Sequence, residues 1–134
     1  MDPIFHQVSF GLIMAFNFIL GATHMRKLPP HSAIRNLLNK LLVNAFLGAL
    51  IGFGAWNFDN VCCSSLRQTR ILIGSPFNAI LQMHAWWHIF TAYGCHCLAI
   101  FLITLKLELC GRSDYNVVFY NELPNIQFTK VKSI

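Results

Sequence analysis

His84 and His88 are the residues of this chain best suited by type and spacing to do chemistry. They fall in the stretch His84-Ala85-Trp86-Trp87-His88, inside an apolar run from about Ile80 to Leu105. On a helix, residues four apart stand one turn above the other on the same face, with Cβ atoms about 5–6 Å apart. Both imidazoles then reach one metal ion about 2 Å from each ring nitrogen, and zinc is the ion that favours imidazole and tolerates a dry site. The competing reading is that the two histidines hydrogen-bond to neighbouring helices and do nothing more. The zinc-protease signature places a glutamate between such histidines as general base. Here the intervening positions hold Ala85, Trp86 and Trp87. A hydrolytic site at this pair must therefore draw its base and its remaining ligands from elsewhere.

The other histidines fit poorly as partners. His96 follows His88 by eight residues, which on a helix is about 12 Å along the axis and a turn of about 80°. The run Cys95-His96-Cys97 resembles a chelating cluster, but adjacent helical side chains diverge. His24 and His31 belong to the opposite end of the first apolar run from His6, and His6 is on the side that the pair is expected to occupy.

The elements that must position the pair are membrane spans. The chain has 134 residues, 55% hydrophobic and 11% charged, with a mean hydropathy of +0.52, where a soluble domain carries about 25% charged residues. The expectation is an all-α membrane protein with three transmembrane helices, at about 4–23, 37–58 and 78–105, forming a membrane region 1–110 followed by a cytosolic tail, 111–134. An ionisable side chain at membrane depth costs about 2.5–3.5 kcal/mol when charged, so it faces a functional interior by default. The net charge of +5 comes from basic residues between apolar runs, which reads as topology and not as a nucleic-acid footprint. Five cysteines without a Cys-x-x-Cys spacing describe no disulfide framework by themselves. Met1-Asp2-Pro3 has no basic n-region and no small-residue cleavage site follows, so the start does not read as a signal peptide.

Along the chain, the first run, about Val8 to Ala22, closes at Arg26, Lys27 and the breaker Pro29-Pro30. Ser32 is a candidate N-cap for the second helix. The second run, about Leu37 to Phe58, contains Gly48-x-x-x-Gly52 and Gly54, which permit close helix approach in lipid. Asn44 within it is expected to bond to a neighbouring helix. Asp59 could cap a helix end, orient a histidine or bind water. A polar loop, Cys62 to Arg70, leads through Gly74-Ser75-Pro76 into the third span. In the tail, Asn116 to Tyr120 reads as an interfacial segment.

Lysine and arginine counts set the topology. Arg26, Lys27, Arg35 and Lys40 between the first two spans and Lys106, Arg112, Lys130 and Lys132 after the third oppose Arg67 and Arg70 between the second and third. By the positive-inside rule the first loop and the tail are cytosolic, and residue 1 and the Cys62–Arg70 loop are lumenal. A helix running from Pro76 places His84 about 12 Å deep, in the lumenal half of the bilayer. Lys130 and Lys132, third and fifth from the end of a cytosolic tail, resemble the dilysine signal that returns membrane proteins to the endoplasmic reticulum.

Three stretches resemble one family in order and spacing. They are Pro3-Ile4-Phe5-His6-Gln7-Val8; then Trp56-Asn57-Phe58-Asp59-Asn60 with Cys63 and Ser65-Leu66-Arg67; then His84-Ala85-Trp86-Trp87-His88-Ile89-Phe90-Thr91. Over about residues 3–105 the chain is similar to the alkaline ceramidases, nearest their phytoceramide-cleaving branch. The resemblance implies an intramembrane zinc hydrolase, in the endoplasmic reticulum or Golgi membrane. It would cleave the amide bond of ceramide or phytoceramide to a sphingoid base and a fatty acid. It implies that His84 and His88 are two zinc ligands. It implies a third histidine ligand, a serine near the metal and an acting aspartate from earlier spans, and a Ca2+ site near the family's N-terminus, none of which this chain carries.

The chain thus looks like the last three spans of a seven-helix bundle, with Met1 near the start of the fifth. Trp87 and Tyr93 are expected to line the lipid cavity or to pack against neighbouring helices. Cys63, lumenal in this topology, is expected in a disulfide whose partner lies in the absent half. No complete catalytic set is present, so the expectation is an incomplete piece, inactive alone. Its partners would be the lipid substrate, the bilayer and the missing N-terminal helices. A second reading is a non-catalytic, receptor-like regulator that pairs with a full-length enzyme. A third is a plain three-helix membrane protein.

Overall fold

A computed structural model of the chain describes residues 3–30 and 32–129, without the side chains of residues 3, 4 and 6. His31, the His6 imidazole and the Lys130/Lys132 pair lie outside the described residues. In order, the described elements are α1 (Pro3–Met25), α2 (Ala33–Val61), α3 (Cys63–Ile73), a 3-10 turn (Phe77–Leu81), α4 (Met83–Leu109), and strands β1 (Tyr115–Tyr120) and β2 (Leu123–Phe128). Three helices are long and apolar enough to cross a membrane, over Gln7–Met25, Ala33–Val61 and Met83–Leu109. Helix α2 extends beyond its apolar run into Arg35-Asn36 at one end and Asn57–Asn60 at the other. The backbone ladder continues through polar residues, so hydropathy underestimates helix length.

Ser32 caps α2 as its sequence predicts: its Oγ accepts from the Arg35 N–H at 3.3 Å, the third helical position. The segment read as a loop from Cys62 to Arg70 is instead helix α3. No breaker interrupts Cys63 to Ile73, and Leu66, Arg67, Gln68 and Arg70 are good helix formers. The helix stops at Gly74, whose φ of 71° and ψ of 177° suit glycine alone.

The third span also differs from its sequence reading. Residues 77–81 form a 3-10 turn, Gln82 leaves helical geometry at φ −81°, ψ 79°, and α4 begins only at Met83. His84 is therefore the second residue of its helix, and the depth of about 12 Å that assumed a continuous helix from Pro76 does not hold. At the other end, α4 closes in a Schellman motif: the Gly111 N–H donates to Glu108 O at 2.9 Å and the Arg112 N–H to Leu107 O at 3.0 Å. Gly111 takes the positive φ, 71°, that this motif requires.

The chain divides into two compact units, Met1–Leu42 with Ala99–Ile134, and Val43–Leu98. In the first, Leu38, Leu41, Phe101, Thr104 and Leu105 form the core. Gly21 of α1 lies against the Phe101 ring, where a Cβ would clash. The tail segment read as interfacial is part of an antiparallel hairpin in this unit, with Tyr115 opposite Phe128, Val117 opposite Ile126 and Phe119 opposite Pro124. These six share one face, and Tyr115 and Pro124 on it are buried. Lys40 of α2 lies 4.8 Å over the Phe119 ring and Arg112 lies 5.5 Å over Phe128. Arg112 also holds Asp114 in an ion pair, its Nε donating to Oδ1 at 2.9 Å. In the second unit the core is built where small residues of α2 and α4 meet, with Ala45 and Cys97 fully buried.

Candidate metal centre

The histidine pair stands on the first two turns of α4, and three hydrogen bonds fix that start. The Ala85 and Trp86 N–H groups donate to Gln82 O at 3.0 and 3.4 Å. The Trp86 indole N–H donates back to Ile80 O at 2.8 Å, which ties the 3-10 turn to the helix it precedes. Trp86 then stacks on Phe90 with ring centroids 6.0 Å apart. The polar tip of Trp86 is thereby satisfied while its ring stays apolar.

The imidazoles of His84 and His88 converge as the i, i+4 spacing predicts. Their centroids are 4.8 Å apart and their planes cross at 79°. The two Nε2 atoms face each other at 3.1 Å, one ring's N–H donating to the other's lone pair. Zinc with Zn–N bonds of about 2.0–2.1 Å and tetrahedral angles holds two nitrogens about 3.3 Å apart. The observed separation is within a few tenths of an ångström of that value, and imidazole nitrogen is a preferred zinc donor, so the pair fits as two ligands of one ion. Both histidines are exposed.

Trp87 joins the pair. Its ring meets His84 edge-on at 5.0 Å and lies tilted against His88 at 4.4 Å. Tyr93 does not: five residues beyond His88, it is turned by about 140° around the helix. Its hydroxyl is hydrogen-bonded to Cys97. Asp59 lies in the last turn of α2, half-buried. Cys63 is an exposed thiol beside a polar pocket of about 470 Å³ lined by Asn60, Ser64, Arg67 and Gln68.

What holds the pair's helix in place is a seam of small residues. A Cβ on Gly52 would lie 2.6 Å from Thr91 Oγ1 and 3.3 Å from Trp87 O, so α2 approaches α4 backbone to backbone. The Gly-x-x-x-Gly spacing announced this approach. Its counterparts on α4, Thr91 and Gly94, carried no sequence signal of their own. They lie one and two turns beyond Trp87, on a face adjacent to the histidines. Among the described residues, no group of three or more His, Cys, Asp or Glu could hold a metal ion. Two imidazoles alone fall short of the roughly three protein ligands that a catalytic zinc takes.

The family model described as Ceramidase matches residues 1–128. Mouse "Alkaline ceramidase 3" is 33% identical over 119 residues, which is 88% of this chain and 42% of the mouse protein. "Alkaline ceramidase YPC1" of Saccharomyces cerevisiae is 30% identical over 104 residues, 76% of this chain and 33% of the yeast protein. "Putative alkaline ceramidase dcd3A" of Dictyostelium discoideum is 29% identical over 107 residues, 80% of this chain and 34% of that protein. The chain thus spans less than half the length of these relatives. No solved structure matches it.

Proposed function

The chain belongs to the alkaline ceramidase family, and on that premise we propose that it supplies part of an intramembrane zinc site that hydrolyses the amide of ceramide or phytoceramide to a sphingoid base and a fatty acid. The observation that carries this reading is the 3.1 Å approach of the His84 and His88 Nε2 atoms. His84 and His88 would each give a lone pair from Nε2, which requires the ring that donates between them to shift its proton to Nδ1, so that both rings carry it there. Zinc bound there supplies Lewis acidity towards an amide carbonyl and towards water. Trp87 orients the pair by its ring contacts and presents an apolar wall to an acyl or sphingoid chain. Tyr93, on another face of α4, would meet such a chain only where it wraps round the helix.

Three helices of adequate length and apolarity support a multi-pass membrane location. The lysine and arginine distribution favours a cytosolic C-terminus, and Lys130 and Lys132 favour retention in the endoplasmic reticulum or passage from the Golgi. The third ligand and the general base would come from outside the described residues, in the additional helices of a seven-helix parent. Cys63, on the lumenal side in this orientation, would find a disulfide partner there too. The chain by itself is expected to turn over no substrate, since two ligands without a base do not complete a hydrolytic zinc site.

The test is a chimera in which this chain replaces the stretch it matches in mouse alkaline ceramidase 3. The expected result is zinc-dependent release of fatty acid from ceramide, abolished by His84→Ala and by His88→Ala, with no release from the chain alone. A folded chimera whose rate is indifferent to both substitutions sinks the proposal. Co-purification of the chain with an intact ceramidase, altering its rate without adding zinc, would establish the regulator in its place.

A further inference from the structure

Between the C-terminal ends of α1 and α4, within the first compact unit, lies a groove of about 240 Å³. Its walls are Leu20, Leu102, Leu105 and Leu109, and Gly21 contributes backbone to its floor. At its rim stand His24 and Lys106, with no carboxylate in the lining. The His24 Nδ1–H donates to Leu20 O at 2.9 Å, which fixes that ring at the rim. The ion pair among the described residues is Arg112 with Asp114, and Glu108 accepts from the Tyr115 hydroxyl, so the nearby acids are engaged and Lys106 remains exposed. From Leu102 to Leu109 the apolar wall runs about 10 Å along α4, two-thirds of the roughly 15 Å thickness of one leaflet's hydrocarbon.

We propose that this groove is a site for one anionic phospholipid, with its phosphate at Lys106 and one acyl chain laid along Leu20, Leu102, Leu105 and Leu109. The charge decides the occupant. A zwitterionic headgroup would bring its own cation to a rim that already holds Lys106 and His24, and the apolar face of another helix would bring no counter-charge, whereas an anionic headgroup supplies net negative charge at the depth where two span-length helices end. The apolar wall selects a lipid over free phosphate, because a soluble anion would gain nothing from four leucines. The site lies in a different compact unit from the histidine pair and does not depend on the hydrolytic reading.

The experiment is native mass spectrometry of the full chain in detergent, titrated with phosphatidylserine or with phosphatidylcholine of the same acyl chains, for the unaltered chain and for Lys106→Gln, Lys106→Arg and Arg26→Gln. Arg26 is exposed at the same end of α1 but does not line the groove. One retained phosphatidylserine is expected, favoured over phosphatidylcholine by about fivefold, a preference lost in Lys106→Gln and kept in Lys106→Arg and Arg26→Gln. Equal retention of both lipids, retention of neither, or an equal loss in Arg26→Gln overturns the proposal. So does retention of inorganic phosphate in place of lipid, or a dimer peak that lipid does not displace, which would assign the groove to a second copy of the chain.

Discussion

Gly48 and Gly94 meet backbone to backbone: a Cβ on Gly48 would lie 2.8 Å from the Gly94 Cα, and one on Gly94 2.9 Å from both Ala45 O and Ala49 N. Atoms of the main chain cannot swing aside as a side chain can. The seam between α2 and α4 therefore sets the rotation of α4, and with it the direction in which His84 and His88 point.

Gly94→Ala is expected to destabilise the chain by about 1–3 kcal/mol, the usual cost of overpacking. Gly54→Ala, where a Cβ would meet nothing within 4 Å, serves as the control and should gain up to about 1 kcal/mol from helix propensity. Thermal unfolding in detergent reads both. Equal behaviour of the two variants would show that the seam is not where the packing is tight.

Removing either histidine should weaken zinc binding by at least the roughly 10–100-fold that loss of an outer-shell partner costs. Because zinc takes its lone pairs from neutral imidazole and the two Nε2 atoms stand 3.1 Å apart, zinc uptake at the pair should weaken as the solution is acidified. Zinc titration of the unaltered chain, His84→Ala and His88→Ala over a falling series of pH values measures that weakening. Uptake indifferent to pH and to both substitutions would mean that the metal binds elsewhere.

Tyr115 offers a pH dependence of the opposite kind. Burial first, and then its hydrogen bond to Glu108, push the phenol above its ordinary value of 10.0. The neutral form is the one the fold prefers. Its stabilisation is complete below the unfolded tyrosine's titration and is lost as pH rises through the raised value. Ultraviolet titration should show a late phenolate component that disappears in Tyr115→Phe. Persistence of that component in the variant would contradict the assignment.

The turn between β1 and β2 asks two L-residues to take positive φ, Asn121 at 47° and Glu122 at 67°. Two-residue hairpin turns favour Asn-Gly for this reason. Glu122→Gly should leave the hairpin equally stable or stabilise it by up to about 1 kcal/mol. Slower amide exchange at Val118 and Asn125, which face each other across the ladder, would record the gain, and faster exchange would refute it.

The histidine pair and the small-residue approach of α2 were legible because both rest on helical periodicity, which i, i+4 spacing reports directly. The hairpin was not. Pro124 inside β2 argues against a strand, and Asn121-Glu122 lacks the glycine that marks a tight turn. Helix α3 was hidden by polarity, since Ser64, Ser65, Arg67 and Gln68 read as loop although nothing in them breaks a helix. The late start of α4 leaves no mark in the sequence because Phe77–Leu81 is apolar, and hydropathy does not tell a 3-10 turn from the first turn of a span. Tyr93 shows the limit of proximity in sequence: it lies near His88 along the chain and on another side of the helix.

The break at Gln82 has a consequence for how the chain tolerates change in length. An extra residue between Gly74 and Gln82 would alter where α4 begins, yet both histidines would travel together and keep their mutual geometry. An extra residue between His84 and His88 would swing one ring about 100° away from the other and separate the two Nε2 atoms. Insertions and deletions should therefore accumulate on the first side of Met83 and be excluded from the four residues beyond His84.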